Sequence, residues 1–152
     1  MDMFSRRIVG WAMDEHMTEA LTLTALQMAL ETRQPLAGLI HHSDQGVQYA
    51  DNRYVRLLDG VRISMSRKGE PTENGHVERL MRTIKEEEIA LSDYDGYADA
   101  RSQIGTFLEG VYRHKRIHSA LGYLTPAEFE RRWHQEKSTD IPNNLNRKRV
   151  RI

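Results

Sequence analysis

With 152 residues and 39% hydrophobic side chains, the chain has the size and apolar content of one globular domain, and two independent domains would be cramped. Lys and Arg total 22 and Asp and Glu total 22, so no whole-chain field points to a nucleic-acid partner and only local clustering can do so. The absence of cysteine excludes a disulfide framework and thiolate zinc and fits a reducing cytosol, while the charged opening MDMFSRRIVGW is no signal peptide and no apolar run reaches the roughly 18 residues of a membrane span.

The chain opens with two apolar stretches around Ser5-Arg6-Arg7, which predict a β-hairpin over Met3 to Met13. A hairpin needs further strands for stability. Met17 to Thr32 repeats apolar residues at Leu21, Ala25, Met28 and Ala29, a helical pattern closed by Gln34-Pro35. LAGLIHHSDQG is an apolar run ending in polar residues and Gly, as in a buried strand that runs into a loop. A short helix is expected over Asn52 to Leu58, and an alternating strand over Val61 to Met65.

Ser66 to Gly75, with two Gly, one Pro and several charges, is expected to be a mobile loop. Two amphipathic helices follow, one carrying Val77, Leu80, Met81 and Ile84, the other Ala100, Ile104, Phe107, Leu108 and Val111. Thr125-Pro126-Ala127-Glu128 places an N-cap, a first-turn proline and the third-position glutamate of a capping box, opening a last helix through Trp133. From Arg131 onward, seven basic residues (Arg131, Arg132, Lys137, Arg147, Lys148, Arg149, Arg151) face two acids, Glu136 and Asp140, so the end is a basic tail. With no internal repeat, the order describes one α/β domain.

Asp44 follows the apolar strand, where a carboxylate is held by the sheet yet open to solvent and metal; Asp before Gly is also a common turn pattern. Glu78 lies at the edge of a helix face and in line with Arg82 and Lys85, which reads either as a carboxylate-and-cation stripe or as a solvated charged face. Two carboxylates, one at a strand end and one on a helix, could ligate Mg²⁺, which takes oxygen ligands and keeps waters for exchange with phosphate oxygens. Two ions would need a third acid, for which Asp2, Asp14, Asp51 and Glu73 are candidates that spacing does not separate. Tyr112 to His118, YRHKRIH, suits phosphate contact with little base reading, and equally a helix C-terminus whose cations complement the dipole. His114 and His118 lack the glutamate of a zinc-protease helix, and Trp11 and Trp133 read as core or edge aromatics.

HSDQGVQY, then SMSRKGEPTENGHVERLMRTIKEE, then YRHKRIHSALGYLTPAEF, taken in order from about Asp2 to Trp133, closely resemble the catalytic core of insertion-sequence transposases related to retroviral integrases. The resemblance implies an α/β RNase H-like fold, a mixed sheet flanked by helices with its first strand missing, over residues 1–134, and the charge pattern makes 135–152 a basic, flexible tail. It also implies a DDE triad whose second aspartate matches Asp44 and whose glutamate matches Glu78, with 33 residues between them. The two would be both catalytic residues and ligands of Mg²⁺ or Mn²⁺, two ions serving the complete enzyme. The family's first aspartate lies on a first strand upstream of the DMFSRRIVGW-like segment; that motif is absent here, and Asp2 matches a non-catalytic family position. Where relatives commonly have Asp-Asn the chain has Glu73-Asn74, and where they have Asn it has Arg113.

The resemblance further implies DNA cleavage and strand transfer, with insertion-sequence ends and target DNA as partners, self-association with transposase subunits, and a bacterial cytoplasmic, nucleoid-associated location. Arg82, Lys85, Arg113, Lys115, Arg116 and His118 are the expected DNA contacts, and His41, His42, Arg116 and His118 match family positions near the DNA-facing side. Lacking one triad carboxylate, the chain by itself is expected to bind DNA without cutting it. The alternative is a catalytically dead remnant that binds DNA or an intact transposase; a nuclease of the same fold is the third reading.

Overall fold

A computed structural model describes residues 1–16, 18–35, 37–67 and 75–139. Most of the loop read at Ser66 to Gly75, and the tail from residue 140 onward, lie outside the described residues.

The chain enters through a tight turn. Asp2 Oδ1 accepts from the Phe4 amide (2.8 Å), its Oδ2 from the Ser5 hydroxyl (3.1 Å), and the Asp2 amide donates to the Arg7 carbonyl (2.8 Å). The expected hairpin over Met3 to Met13 goes no further: no strand forms before Ile40 among the described residues. Arg6 at φ 60° breaks the extended run. The residues after it are spent on helices, with Ile8 buried against Phe107, Leu108 and Tyr112. Gly10 lies so close to the first helix that a Cβ there would meet the Ala25 carbonyl oxygen at 2.1 Å, and the Trp11 ring lies against Gly105.

That first helix, α1, spans Glu19–Arg33 and ends with Gln34 in the left-handed region (φ 42°), its amide bonded to the Leu30 carbonyl. Leu26 of α1 packs with Tyr54 and Leu58 in a second core cluster. β1 (Ile40–Ser43) and β2 (Arg62–Met65) then pair in parallel, with Ile40 opposite Arg62 and Ser43 opposite Met65. A parallel pair needs a crossover. Here it is a 3₁₀ turn (Val47–Ala50) and helix α2 (Asn52–Leu57), capped by the Asp51 carboxylate accepting from the Arg53 and Tyr54 amides.

The sheet differs from the expected mixed one: among the described residues it has two strands, both parallel. It also leaves Ile40 (53%), Ile63 (45%) and Met65 (44%) exposed, so β1 is not the buried strand its composition implied and β2 does not hide its apolar face. Among the described residues no third strand flanks the pair, and these three side chains stay largely open to solvent.

Helix α3 (Gly75–Glu87) buries Thr83 and packs Leu80 and Ile84 on the first cluster, while Val77 and Met81 stay exposed, so its inward face is rotated from the all-apolar stripe. Helix α4 (Tyr97–Thr106) continues into a π-helical stretch, Phe107–Tyr112. In an α-helix residues five apart diverge by about 140°; the wider π turn brings Phe107 and Tyr112 to the same side, and both are buried. Helix α5 (Pro126–Thr139) opens with the expected capping box, the Thr125 amide donating to Glu128 Oε2 (2.9 Å) and the Glu128 amide to Thr125 Oγ1 (3.2 Å), and it runs past Trp133 to Thr139. Glu130 of α5 joins Arg7 (3.2 Å) and Arg33, and Arg33 also reaches Asp2 (2.9 Å), tying the N-terminal turn, α1 and α5 together.

Candidate functional site

Asp44 stands one residue past β1, exposed, with Oδ1 accepting from the Gly46 amide at 3.0 Å. This is the turn role that Asp before Gly suggested, and it leaves the carboxylate at the surface. The two histidines before it point to opposite sides of the strand, as alternation requires. His41 Nε2 meets the Tyr54 hydroxyl at 2.9 Å, with Tyr49 packed beside it. Burial holds its pKa below the ordinary histidine value, helped by the Met1 amine and His42. Burial also raises the Tyr49 hydroxyl, and the Asp44 charge adds to it. His42 engages β2, with Nδ1 at 2.9 Å from Ser64 Oγ and Nε2 at 3.0 Å from Ser66 Oγ.

Glu78 sits exposed in the first turn of α3, where a carboxylate complements the helix dipole, and Arg82 and Lys85 follow on the exposed side of the same helix. A cleft of about 910 Å³ is lined both by His41 and His42, just before Asp44, and by His76 and Val77, just before Glu78. The strand end and the helix start therefore border one opening.

The other expected DNA contacts differ in availability. Lys115 is exposed at the end of the α4 continuation. Arg113 pairs with Glu109 across one helical turn (3.4 Å). Arg116 grips Glu87 of α3 with a bidentate fork (2.8–3.0 Å) and lies over the Tyr112 ring. His118 is half-buried edge-on to Tyr112, its pKa lowered by burial and then by the charges of Arg116 and Arg6. The sequence reading missed the Arg116–Glu87 fork and the His42–serine bonds. The first has no local signal across 29 positions; Ser64 on β2 and Ser66 just past its end, two apart, could have shown the second.

Exposed carboxylates are the donors Mg²⁺ prefers, so Asp44 and Glu78 fit a magnesium ion chemically. Among the described residues, however, no three His, Asp or Glu side chains gather closely enough to hold a metal by themselves. Nor is any described helix long and apolar enough to cross a membrane.

The described strands pair in parallel across a helical crossover, with Asp44 just past β1 and Glu78 in the first turn of α3. Two models described as integrase core domain match residues 1–71 and 59–126. The transposase for insertion sequence element IS904 of Lactococcus lactis is 40% identical over 133 residues, 86% of this chain and 53% of that protein. The IS600 uncharacterized 31 kDa protein of Shigella sonnei is 41% identical over 136 residues (88% and 50%), and transposase InsF for insertion sequence IS3A of Escherichia coli K12 is 36% identical over 132 (86% and 46%). Among solved structures, the catalytic core domain of BIV integrase superimposes with TM-score 0.51 at 24% identity, covering 76% of this chain and 74% of that one, a likeness of fold. The chain belongs to the integrase core domain family of insertion-sequence transposases. It spans about half the length of the curated relatives it matches.

Proposed function

We propose that this chain contributes Asp44 and Glu78 to the metal-dependent centre of a transposase that cleaves DNA and joins the freed 3′ end to a target. The observation that supports this most is the shared cleft, which the residues before Asp44 and those before Glu78 both line. Asp44 and Glu78 would hold Mg²⁺ or Mn²⁺, two ions in the complete centre, where bound metal supplies charge stabilisation at phosphodiester oxygens and a more acidic attacking hydroxyl. Each carboxylate is exposed, so neither must give up a buried partner to take a ligand. Residues 1–134 would form the core unit and 135–152 a basic extension whose first residues, as far as Thr139, continue α5.

DNA would lie along Arg82, Lys85 and Lys115, with Arg113, Arg116 and His118 behind them. Such a cation row reads the backbone rather than the bases. Two carboxylates are one short of a triad, and no third acid joins them in a ligand cluster among the described residues. This favours a second reading for the chain by itself: a module that binds DNA, or another transposase subunit, without cutting.

Nicking of a plasmid in Mg²⁺, by the 152-residue chain and by a longer chain carrying upstream transposase sequence, separates these readings. The shorter chain should bind without nicking; the longer one should nick, and should lose nicking on Asp44→Asn or Glu78→Gln. Nicking that survives both substitutions overturns the assignment. Binding should be weak and sequence-tolerant, with log K linear in log salt, and replacing Lys115 and Arg116 by Ala should shrink the slope by about 0.9 for each phosphate no longer neutralised. If Arg116 stays bonded to Glu87, only the Lys115 contribution disappears.

A further inference from the structure

The position of Asp44 depends on what holds the end of β1. The last register pair is Ser43 opposite Met65, and the Ser66 amide donates to the Ser43 carbonyl at 2.9 Å, so the ladder stops one residue short of Asp44. Each strand has only four residues, and a sheet that short has few ladder bonds to fix its end. His42 adds two more. The register sets Ser64 directly opposite it, Ser66 follows two residues on, just past the end of β2, and the imidazole bridges the two hydroxyls at 2.9 and 3.0 Å. A neutral imidazole carries one donor and one acceptor nitrogen, and hydroxyls can answer either, so both tautomers satisfy the bridge. Ser66 is buried, which fixes that end of the clamp.

We propose that His42 is a positioning residue: through Ser64 and Ser66 it pins the Asp44-bearing end of β1 to β2 and so aims the carboxylate at a divalent cation. This rests on the reading of Asp44 as a cation ligand. With both ring nitrogens engaged, His42 serves neither as a metal ligand nor as a phosphate contact unless one of those bonds breaks.

The probe is Mn²⁺, its binding to the 152-residue chain followed by electron paramagnetic resonance, with thermal melting of every variant alongside. Asp44→Asn should abolish the specific site. His42→Ala should weaken Mn²⁺ binding by up to roughly the tenfold that loss of a direct outer-shell partner costs, since His42 acts on Asp44 through the strand. The pair Ser64→Ala with Ser66→Ala should weaken it similarly, and adding His42→Ala to that pair should cost little more, because all three act through one bridge. His42→Asn, which keeps a donor and an acceptor, should recover part of the affinity. A purely structural histidine would lower the melting temperature and leave the affinity of the folded protein alone.

If Asp44→Asn removes the site and His42→Ala leaves it intact, the positioning role is overturned. It is equally overturned if His42→Ala changes only the salt slope of DNA binding, which would make the ring a phosphate contact. An unchanged site in Asp44→Asn would bring down the ligand reading and the inference with it. Should His42→Ala not fold, Ser64→Ala removes one bond only and should still weaken Mn²⁺ binding, and full affinity in that variant decides against the clamp.

Discussion

Thr125 and Glu128 each satisfy the other's amide at the start of α5, and these bonds hold the Glu128 carboxyl below its ordinary value. Thr125→Ala should therefore cost about 1 kcal/mol of stability, read as a lower urea midpoint. Histidines shape the response to acid. His41, His76 and His118 all have pKa values lowered from the ordinary 6.5, chiefly by burial, so the unfolded chain takes up protons that the folded chain refuses. Stability is then greatest above that value and falls as pH drops below it, until the folded-state values are passed. Denaturation at about pH 7.5 and about pH 5.5 should show the lower midpoint in acid, with a smaller difference in His118→Gln. Glu128 and Glu130, both pulled below 4.5, lose their contribution only in still stronger acid, which leaves the higher window to the histidines.

At the scale of elements, the N-terminal segment acts as a tie between helices. Gly10 lets it approach α1 so closely that an added Cβ would meet backbone at 2.1 and 2.8 Å, and backbone cannot swing aside as a side-chain end can. Gly10→Ala should cost roughly 1–3 kcal/mol, the usual penalty of overpacking, and a melting temperature unchanged from the parent would refute this close approach. Glu130 is the second tie, the acceptor that Arg7 and Arg33 share. Burial raises its pKa, but hydrogen bonds from Arg33 and Ser5 and the charges of Arg33 and Arg7 outweigh that, so the carboxyl is ionised in the fold. Glu130→Gln should loosen α5 from α1, seen as faster amide exchange in both helices.

For the whole molecule, the two-stranded sheet is the weak point. The bonds from the Arg62 amide to the Leu39 carbonyl and from the Ser66 amide to the Ser43 carbonyl direct alternate β1 residues toward β2, so the Ile40 and His42 main chains face the other edge. With Ile40 exposed as well, that edge invites pairing between copies. Sedimentation should show mass rising with concentration, and Ile40→Lys should suppress it; a strictly monomeric parent would show that the edge is protected.

Much of this was legible in the chain. The order of helices, the helical crossover between strands and the capping box at Thr125 follow from periodicity and local bonding, which act over a few residues and so leave their mark in sequence. The motifs around Asp44 and Glu78 likewise pointed to the family that comparison supports. Tertiary structure decided the rest. Whether Met3 to Met13 forms a hairpin depends on strands to pair with, and here Ile8, Gly10 and Trp11 pack on helices instead. Whether Arg116 is free for phosphate depends on Glu87, 29 positions away, and which way His42 turns depends on two serines of the neighbouring strand. Local composition records how a segment can fold, whereas a side chain's partner is set by contacts that only the folded chain brings within reach.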